Sequence, residues 1–439
     1  ADHVSVAPRY QRSVRIDADF GQADPLSGYV LQGSARDALT TTLRLATNGQ
    51  GAFTWTGPYG GGKSSLALAL ASYSLGRGPA YKEAKQLLGD VPEVADVFGR
   101  APKDWLCVPV SGRRGNPVAD LREAVASAIA GEPGHARTKR SRMEAADGRD
   151  IVERLQREVE ARPKGGVLVI VDELGKYLEG AADHAVDIHF FQDLAEAANR
   201  SEGRLIVVGV LHQAFERYAD RLGQSVQDEW RKVQGRFADV PIITAVDEVI
   251  ELVGRAVTTE RSHPQSHPIA AIVASEIAER RPGVPKDLAE RLDDCWPLNP
   301  AAAALLGPIT RRRFSQNERS LFGFLASAEP SGFTEFLQRT TLASGRTFGP
   351  AELWDYLQVN LEPAIMASPD GHRWAQAAEA IARAGRDGTH LRLQIAKTVA
   401  VIDLFSNGSG LAASPRTIAA SLGHSDADVE DQLADLVKI

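Results

Sequence analysis

Residues 54–65 read TWTGPYGGGKSS, and no other stretch limits the possible folds of this chain as strongly. Four glycines and a proline leave little side-chain bulk, and a lysine and two serines follow at once. Before them, Gly51–Thr56 is apolar and aromatic with β-branched threonines, as a buried strand requires. After them, Ser64–Ala71 (SSLALALA) is rich in helix formers. A strand, a glycine loop and a helix in that order form a cradle for phosphate. Glycines let backbone amides turn inward, and the helix N-terminus adds partial positive charge. A plain glycine-rich turn is the alternative, and it leaves the flanks unexplained.

In the cradle reading, Gly57, Pro58, Tyr59, Gly60, Gly61, Gly62, Lys63, Ser64 and Ser65 are the candidate nucleotide contacts. Lys63 is expected to reach the β- and γ-phosphates of ATP, and the Ser64 hydroxyl to coordinate Mg²⁺. Such a loop needs a partner carboxylate for the cation. Residues 165–173, GGVLVIVDE, offer one. Val167–Val171 is a five-residue apolar run suited to a central parallel strand, and Asp172 emerges at its C-terminal end, where ligands bind in open α/β sheets. Asp172 is the candidate magnesium ligand, and Glu173 the candidate general base that polarises the attacking water. A strand followed by an acidic turn is the competing reading.

Further strands are expected at Trp105–Ser111, Leu205–Leu211 and 239–246, giving five with helices between and a doubly wound parallel sheet. Trp105–Ser111 is read as an added strand between the two motifs. Residues 131–150 lack apolar periodicity and read as a loop, whose Arg137, Lys139, Arg140 and Arg142 either touch DNA phosphates or are simply solvated.

The residues GPYGGGKSS, VLVIVDE, LIVVGVLHQ and the arginines before DVPIITA resemble the AAA+ ATPases over about residues 25–310. Within them the chain is similar to the origin-recognition and STAND-type branch. The phrases DELGKYLE (172–179) and FSQNERSLFGFL (314–325) resemble the large ATPases of bacterial anti-phage defence, of the BREX and phage-growth-limitation type. The resemblance implies a P-loop NTPase core over 1–250, a helical lid over 251–310 and a helical, winged-helix-like domain over 311–439. It implies that a polar residue after the fourth strand senses the γ-phosphate, with Gln213 or His212 as candidates or else simply the satisfied polar end of the strand, although the Asn or Thr usual there is missing. It also implies an arginine finger acting on a neighbour's nucleotide. Arg236 is the favoured candidate and Arg231 the lesser one, each alternatively a salt-bridged surface residue. Among Arg311, Arg312 and Arg313, one is a candidate lid arginine and another a candidate DNA contact, or the three form a solvated turn.

Further on, Val246–Val257, 269–280 and 285–294 read as helices, and 389–405 as an amphipathic one with Leu391, Ile395, Val399 and Ile402 on one face. Residues 414–439 have a helix–turn–helix cadence, with Ser414 as cap, Pro415 at the first helical position and Gly423 as stop. The second helix carries Asp426, Asp428, Glu430, Asp431 and Asp435, which phosphates repel, so protein contact is favoured over DNA readout.

The net charge of −7 gives no global field for nucleic acid or acidic membranes. Two cysteines without CxxC spacing fit a reducing cytoplasm, and no 18-residue apolar run or leader is expected. The start at Ala1 and the end at Ile439 suggest a portion of a longer protein. The resulting expectation is a cytoplasmic, Mg²⁺-dependent ATPase that couples nucleotide state to conformational change. It is expected to bind ATP and ADP, to act as a homo-oligomer with an effector protein, with DNA possible as a ligand and no membrane. The alternatives are a nucleotide-gated switch or scaffold with little turnover, and a replication-initiator-like DNA loader using residues 137–142 and 311–313. A kinase lacks an acceptor pocket, and a GTPase lacks the N-K-x-D element.

Overall fold

The computed structural model describes residues 4–7, 14–22, 24–58, 61–99, 102–131, 148–182, 189–213, 218, 224–259, 266–312, 321–341, 344–387 and 389–436. Its strands are β1 (Val4–Val6), β2 (Ala52–Thr56), β3 (Trp105–Ser111), β4 (Gly166–Asp172), β5 (Leu205–Leu211), β6 (Ala238–Pro241) and β7 (Val257–Thr259). The chain divides into two compact units, one of Ser13–Ile243 and one of Ala1–Arg12 with Thr244–Ile439.

The first unit is built on a five-stranded sheet of order β3-β4-β5-β2-β6, in which all pairings are parallel. Every residue of β2, β4 and β5 is buried, as the unbroken apolar runs require of strands covered on both faces. The two-residue period of β4 sorts its side chains between two cores. Val167, Val169 and Val171 pack with Leu121, Leu155 and Leu194, whereas Leu168 and Ile170 pack with Leu39, Leu66 and Leu88. The helix Gly148–Glu160 shows how this layer forms. Its Ile151, Val152, Leu155 and Val159 fall on one stripe and are buried, while its charged residues lie opposite.

Trp105–Ser111 forms a strand between the two motif strands along the chain, as expected, but across the sheet it takes the edge as β3, and β5 lies between the motif strands. Order along the chain does not give order across a doubly wound sheet, because each crossover helix can carry the next strand outward or back past the first.

The N-terminal ends of the strands are held by Asn199. Its Oδ1 accepts from the backbone N–H of Gly51 at 2.7 Å and of Ala52 at 3.1 Å, and its Nδ2 donates to the Arg236 carbonyl at 3.0 Å. One side chain thus ties the start of β2 to the segment that leads into β6.

The second unit is mainly helical. Helices Val246–Ala256, Ser266–Arg280, Pro300–Arg311, Pro350–Met366, Gly371–Asp387 and His390–Ser409 contribute to one core, in which Trp354 stacks on Trp374 at 4.1 Å between ring centroids. Two helix starts carry side-chain caps, and the one at Ser414 is the cap expected from the sequence. The Asn299 side chain accepts from the Ala301 N–H with Pro300 at the first position, and the Ser414 side chain accepts from the Thr417 N–H with Pro415 after it. Gly423, at φ 69°, ends Pro415–Leu422, and Asp426–Leu436 follows. The stripe on His390–Ser409 divides. Ile395 meets Ile418 and Val429, whereas Ile402 enters the larger core. Among the described residues no strand follows β7, and the later pairing there is a single bridge between Leu298 and Phe348. Residues 1–12 join this unit through β1, which pairs antiparallel with β7.

Two outcomes are expected. Asn199→Ala leaves two strand-start amides without their acceptor and lowers stability by about 1–3 kcal/mol in denaturant unfolding. A loss below a few tenths would refute the clamp. Second, each unit holds one buried cysteine, Cys107 or Cys295, and burial pushes both thiols up, Cys107 to about 12. Neither is expected to react with a thiol reagent before its own unit opens, so site-resolved labelling in rising denaturant reports the opening of each unit. Labelling of either residue at the rate of a free thiol in native buffer would contradict this.

Candidate functional site

The site stands at the C-terminal ends of the parallel strands. The chain leaves β2 at Thr56, and the Gly57 N–H donates to the Leu211 carbonyl at 3.2 Å. A Cβ on Gly57 would lie 2.1 Å from the Ile242 carbonyl oxygen, so the loop passes too close to the backbone after β6 for any larger residue. Gly62 takes the left-handed conformation, φ 72°, as the cap of helix Lys63–Ser74. Tyr59 and Gly60 lie outside the described residues. Gly61 is buried, and Ser65 is half-buried in the first turn of the helix.

Lys63 is buried, and its ammonium donates to the carbonyls of Gly57 at 2.8 Å and Pro58 at 2.6 Å. The Ser64 hydroxyl donates to Asp172 Oδ1 at 3.0 Å, although 108 residues separate them. The same oxygen accepts from the Glu173 N–H at 3.1 Å. Asp172 is only 2% exposed. Burial, reinforced by the negative charge of Glu173, raises its carboxyl to about 6, against the lowering effect of the Ser64 hydrogen bond.

Glu173 has φ 53°, a conformation that residues with a Cβ seldom adopt, and its carboxylate forms an ion pair with Lys176. The neighbouring strand fits closely around this turn. The Gly112 N–H donates to the Asp172 carbonyl at 2.6 Å, and a Cβ on Gly112 would stand 2.2 Å from the Glu173 carbonyl oxygen.

His212 follows β5 and so emerges between the loop strand and the Asp172 strand. Burial first, and then the positive charges of Lys63 and Lys176, lower its pKa to about 3, so the ring is neutral. Gln213 is next to it and half-buried.

Arg236 is not brought to this cluster. Its carbonyl accepts from Gln50 and Asn199 at the N-terminal ends of the strands, and its guanidinium pairs with Glu196 at 3.1 Å. The five residues of β2 separate that end from the loop by about 17 Å. Arg231 pairs with Asp228 on the exposed surface at 2.6 Å. In the second unit, Arg311 donates to the Thr244 carbonyl at 2.7 Å. Arg312 pairs with Asp370 and lies 5.0 Å over the Phe405 ring. Arg313 and the cluster Arg137, Lys139, Arg140 and Arg142 lie outside the described residues. Asp426, Asp428, Glu430 and Asp431 are exposed, and Asp435 pairs with Arg392 at 3.1 Å.

Sequence reasoning did not single out Tyr29, Gly112 or Lys176. Tyr29 sits against the loop, its ring edge 3.3 Å from where a Cβ on Gly62 would be. Lys176 had a usable signal, since it stands three residues after Glu173 at the start of an expected helix.

The donor set suits a magnesium nucleotide. A hydroxyl and a carboxylate, both hard oxygen donors, meet beside a helix N-terminus and a buried lysine. Among the described residues no group of three His, Cys, Asp or Glu side chains forms a metal site of its own, so a cation here would complete its shell with phosphate oxygens and water. Among the described residues, no helix is long and apolar enough to cross a membrane.

No protein-family model and no curated protein matches the chain. Among solved structures it is similar to the ORC2 protein of Aeropyrum pernix, determined as ADPNP-ADP complexes, with 11% identity, 94% of this chain and 99% of that chain covered, and a TM-score of 0.35. At that identity and score, the reading of the site rests on the geometry described above.

The raised carboxyl of Asp172 gives a pH prediction. From its ordinary value of 3.8 up to about 6, folded Asp172 keeps a proton that the unfolded chain has released. Its stabilising share is therefore present at low pH and lost as pH rises through about 6. Asp172→Asn does not titrate, so its melting temperature relative to the parent is expected to climb between pH 4 and pH 7 without nucleotide. A difference that stays flat across this range would show that burial does not perturb Asp172.

Proposed function

We propose that this chain binds and hydrolyses ATP with Mg²⁺ and couples the nucleotide state to conformational change, as an AAA+ protein of the P-loop class. The observation that carries this reading is the hydrogen bond of Ser64 to Asp172 beside Lys63 and Glu173. In it, a hydroxyl from the first turn of the helix after the loop and a strand-end carboxylate form the two protein sides of one cation position.

The loop amides and the helix N-terminus bind the β-phosphate, and Lys63 exchanges its two loop carbonyls for phosphate oxygens. Ser64 and Asp172 hold the cation, which when bound neutralises charge on the phosphates. Glu173 takes a proton from the water that attacks the γ-phosphorus, the bond to the β,γ-bridging oxygen breaks, and inorganic phosphate forms while ADP, the leaving group, keeps its β-phosphate on the loop. In this reading neutral His212 and Gln213, which follow the strand between the two motif strands, read the terminal phosphate.

Arg236 lies too far from its own loop to act there. In this reading it serves a neighbouring subunit, exchanging Glu196 for that subunit's nucleotide in a homo-oligomer. Residues 251–310 act as the lid, and 311–439 as a winged-helix-like module for protein contact. The resemblance carried by the phrases at 172–179 and 314–325 supports, in this reading, a role in anti-phage defence or a DNA transaction alongside an effector protein.

The Glu173–Lys176 pair favours one second reading, a nucleotide-gated switch with little turnover, because it occupies the carboxylate that hydrolysis needs.

Steady-state ATP hydrolysis, measured at rising protein concentration with and without duplex DNA, separates these readings. The turnover reading expects a rate per subunit that rises with concentration. It expects Glu173→Gln to lower kcat by about a hundredfold or more while ATP still binds. It expects Lys63→Ala to lose binding. Bound ATP without turnover under every condition would establish the switch, and no binding at all would reject both.

A further inference from the structure

Helix Leu174–Ala182 begins where β4 ends, so its first turn starts at the same end of the sheet as the glycine loop. Lys176 stands in that turn. Its backbone N–H donates to the Glu173 carbonyl at 3.0 Å, and its ammonium pairs with the Glu173 carboxylate. The left-handed turn at Glu173 brings the chain from strand to helix within a residue, which lets side chains three apart face one another.

The charge of Lys176 acts on His212 at the end of β5, as does the charge of Lys63. Two lysines therefore share one electrostatic neighbourhood with the carboxylate that would activate water. They differ in how they are held. Lys63 is 3% exposed and bound by two loop carbonyls, whereas the Lys176 side chain is 42% exposed and held by one ion pair with a partner 31% exposed. An ion pair that exposed is weak, and a terminal phosphate, with more negative charge and three acceptor oxygens, outcompetes a single carboxylate for the ammonium.

We propose that Lys176 is a second phosphate-reading cation of this site, paired with Glu173 beside a nucleoside diphosphate and with the terminal phosphate of a nucleoside triphosphate. The exchange releases the Glu173 carboxylate to accept a proton from water only when a γ-phosphate is present to be attacked. Lys176 thereby links substrate identity to the availability of the base, and the same pair restrains turnover between substrates. The inference rests on the nucleotide reading of the loop.

The test titrates the whole chain with Mg²⁺-ADP and with a non-hydrolysable Mg²⁺-ATP analogue, and compares the parent with Lys176→Ala, Lys176→Met and Lys176→Arg. For Lys176→Ala, triphosphate affinity is expected to fall by about ten- to a hundredfold with diphosphate affinity unchanged. Lys176→Arg, which keeps the charge, is expected to preserve the parent's preference. Lys176→Met keeps the aliphatic stem, and it decides the matter if Lys176→Ala melts early. Variants with the parent's triphosphate-to-diphosphate ratio would overturn the proposal, as would an equal loss of both nucleotides, which marks a structural role. A parent chain that binds neither nucleotide would overturn the loop reading itself and this inference with it. A parent that binds both, with variants that bind identically, would overturn only the assignment of Lys176.

Discussion

The hydrogen bond from the Ser64 hydroxyl to the Asp172 carboxylate concentrates the constraints of this fold. It joins the first turn of a helix to the last residue of a strand on the far side of β5. For the two groups to stand 3.0 Å apart, β2, β5 and β4 must run parallel, end at one level and lie in that order. The burial of β4 and β5 on both faces secures the order. The close approach of Gly57 to the backbone after β6 and of Gly112 to the Glu173 carbonyl secures the level. Electrostatics then follow from position. The sheet that brings Asp172 to the loop also removes it from water, which makes the bare carboxylate costly and suits it to a site where a cation would relieve that cost.

Most of the local structure was legible because its signals are local. The glycine loop, the apolar run before Asp172, the caps at Ser414 and Gly423 and the buried stripes all depend on neighbours within a few residues. The order of strands was less so. Trp105–Ser111 reads as well for a central strand as for an edge strand, since helices cover it in either place. What decides its place is the path of the crossover helices, which no residue of the strand records. The pairing of β1 with β7 is the extreme case, because three-residue strands carry almost no pattern.

Among the site residues, the sequence identified chemical types better than directions. Lys63, Ser64 and Asp172 come together as the glycine loop and the apolar run before Asp172 led one to expect. Arg236 is recognisable only as a cation before a strand, and its pairing with Glu196 at the opposite end of the sheet depends on where helix His189–Asn199 comes to rest. Lys176 illustrates the converse. Its partner lies three residues away, a spacing visible in the sequence, whereas the positive φ of Glu173 beside it is not.

The discontinuous second unit has a consequence for how the chain is made. Ser5 and Thr258 share a hydrogen bond across 253 positions, and everything between residues 13 and 243 belongs to the other unit. During synthesis β1 is made before β7, and it has nothing to pair with until β7 leaves the ribosome. By then the whole parallel sheet has been available to form, so its formation draws the two ends of a long loop together and reduces the entropy of closing it. β1 thus waits for its partner until the whole of the first unit has been made.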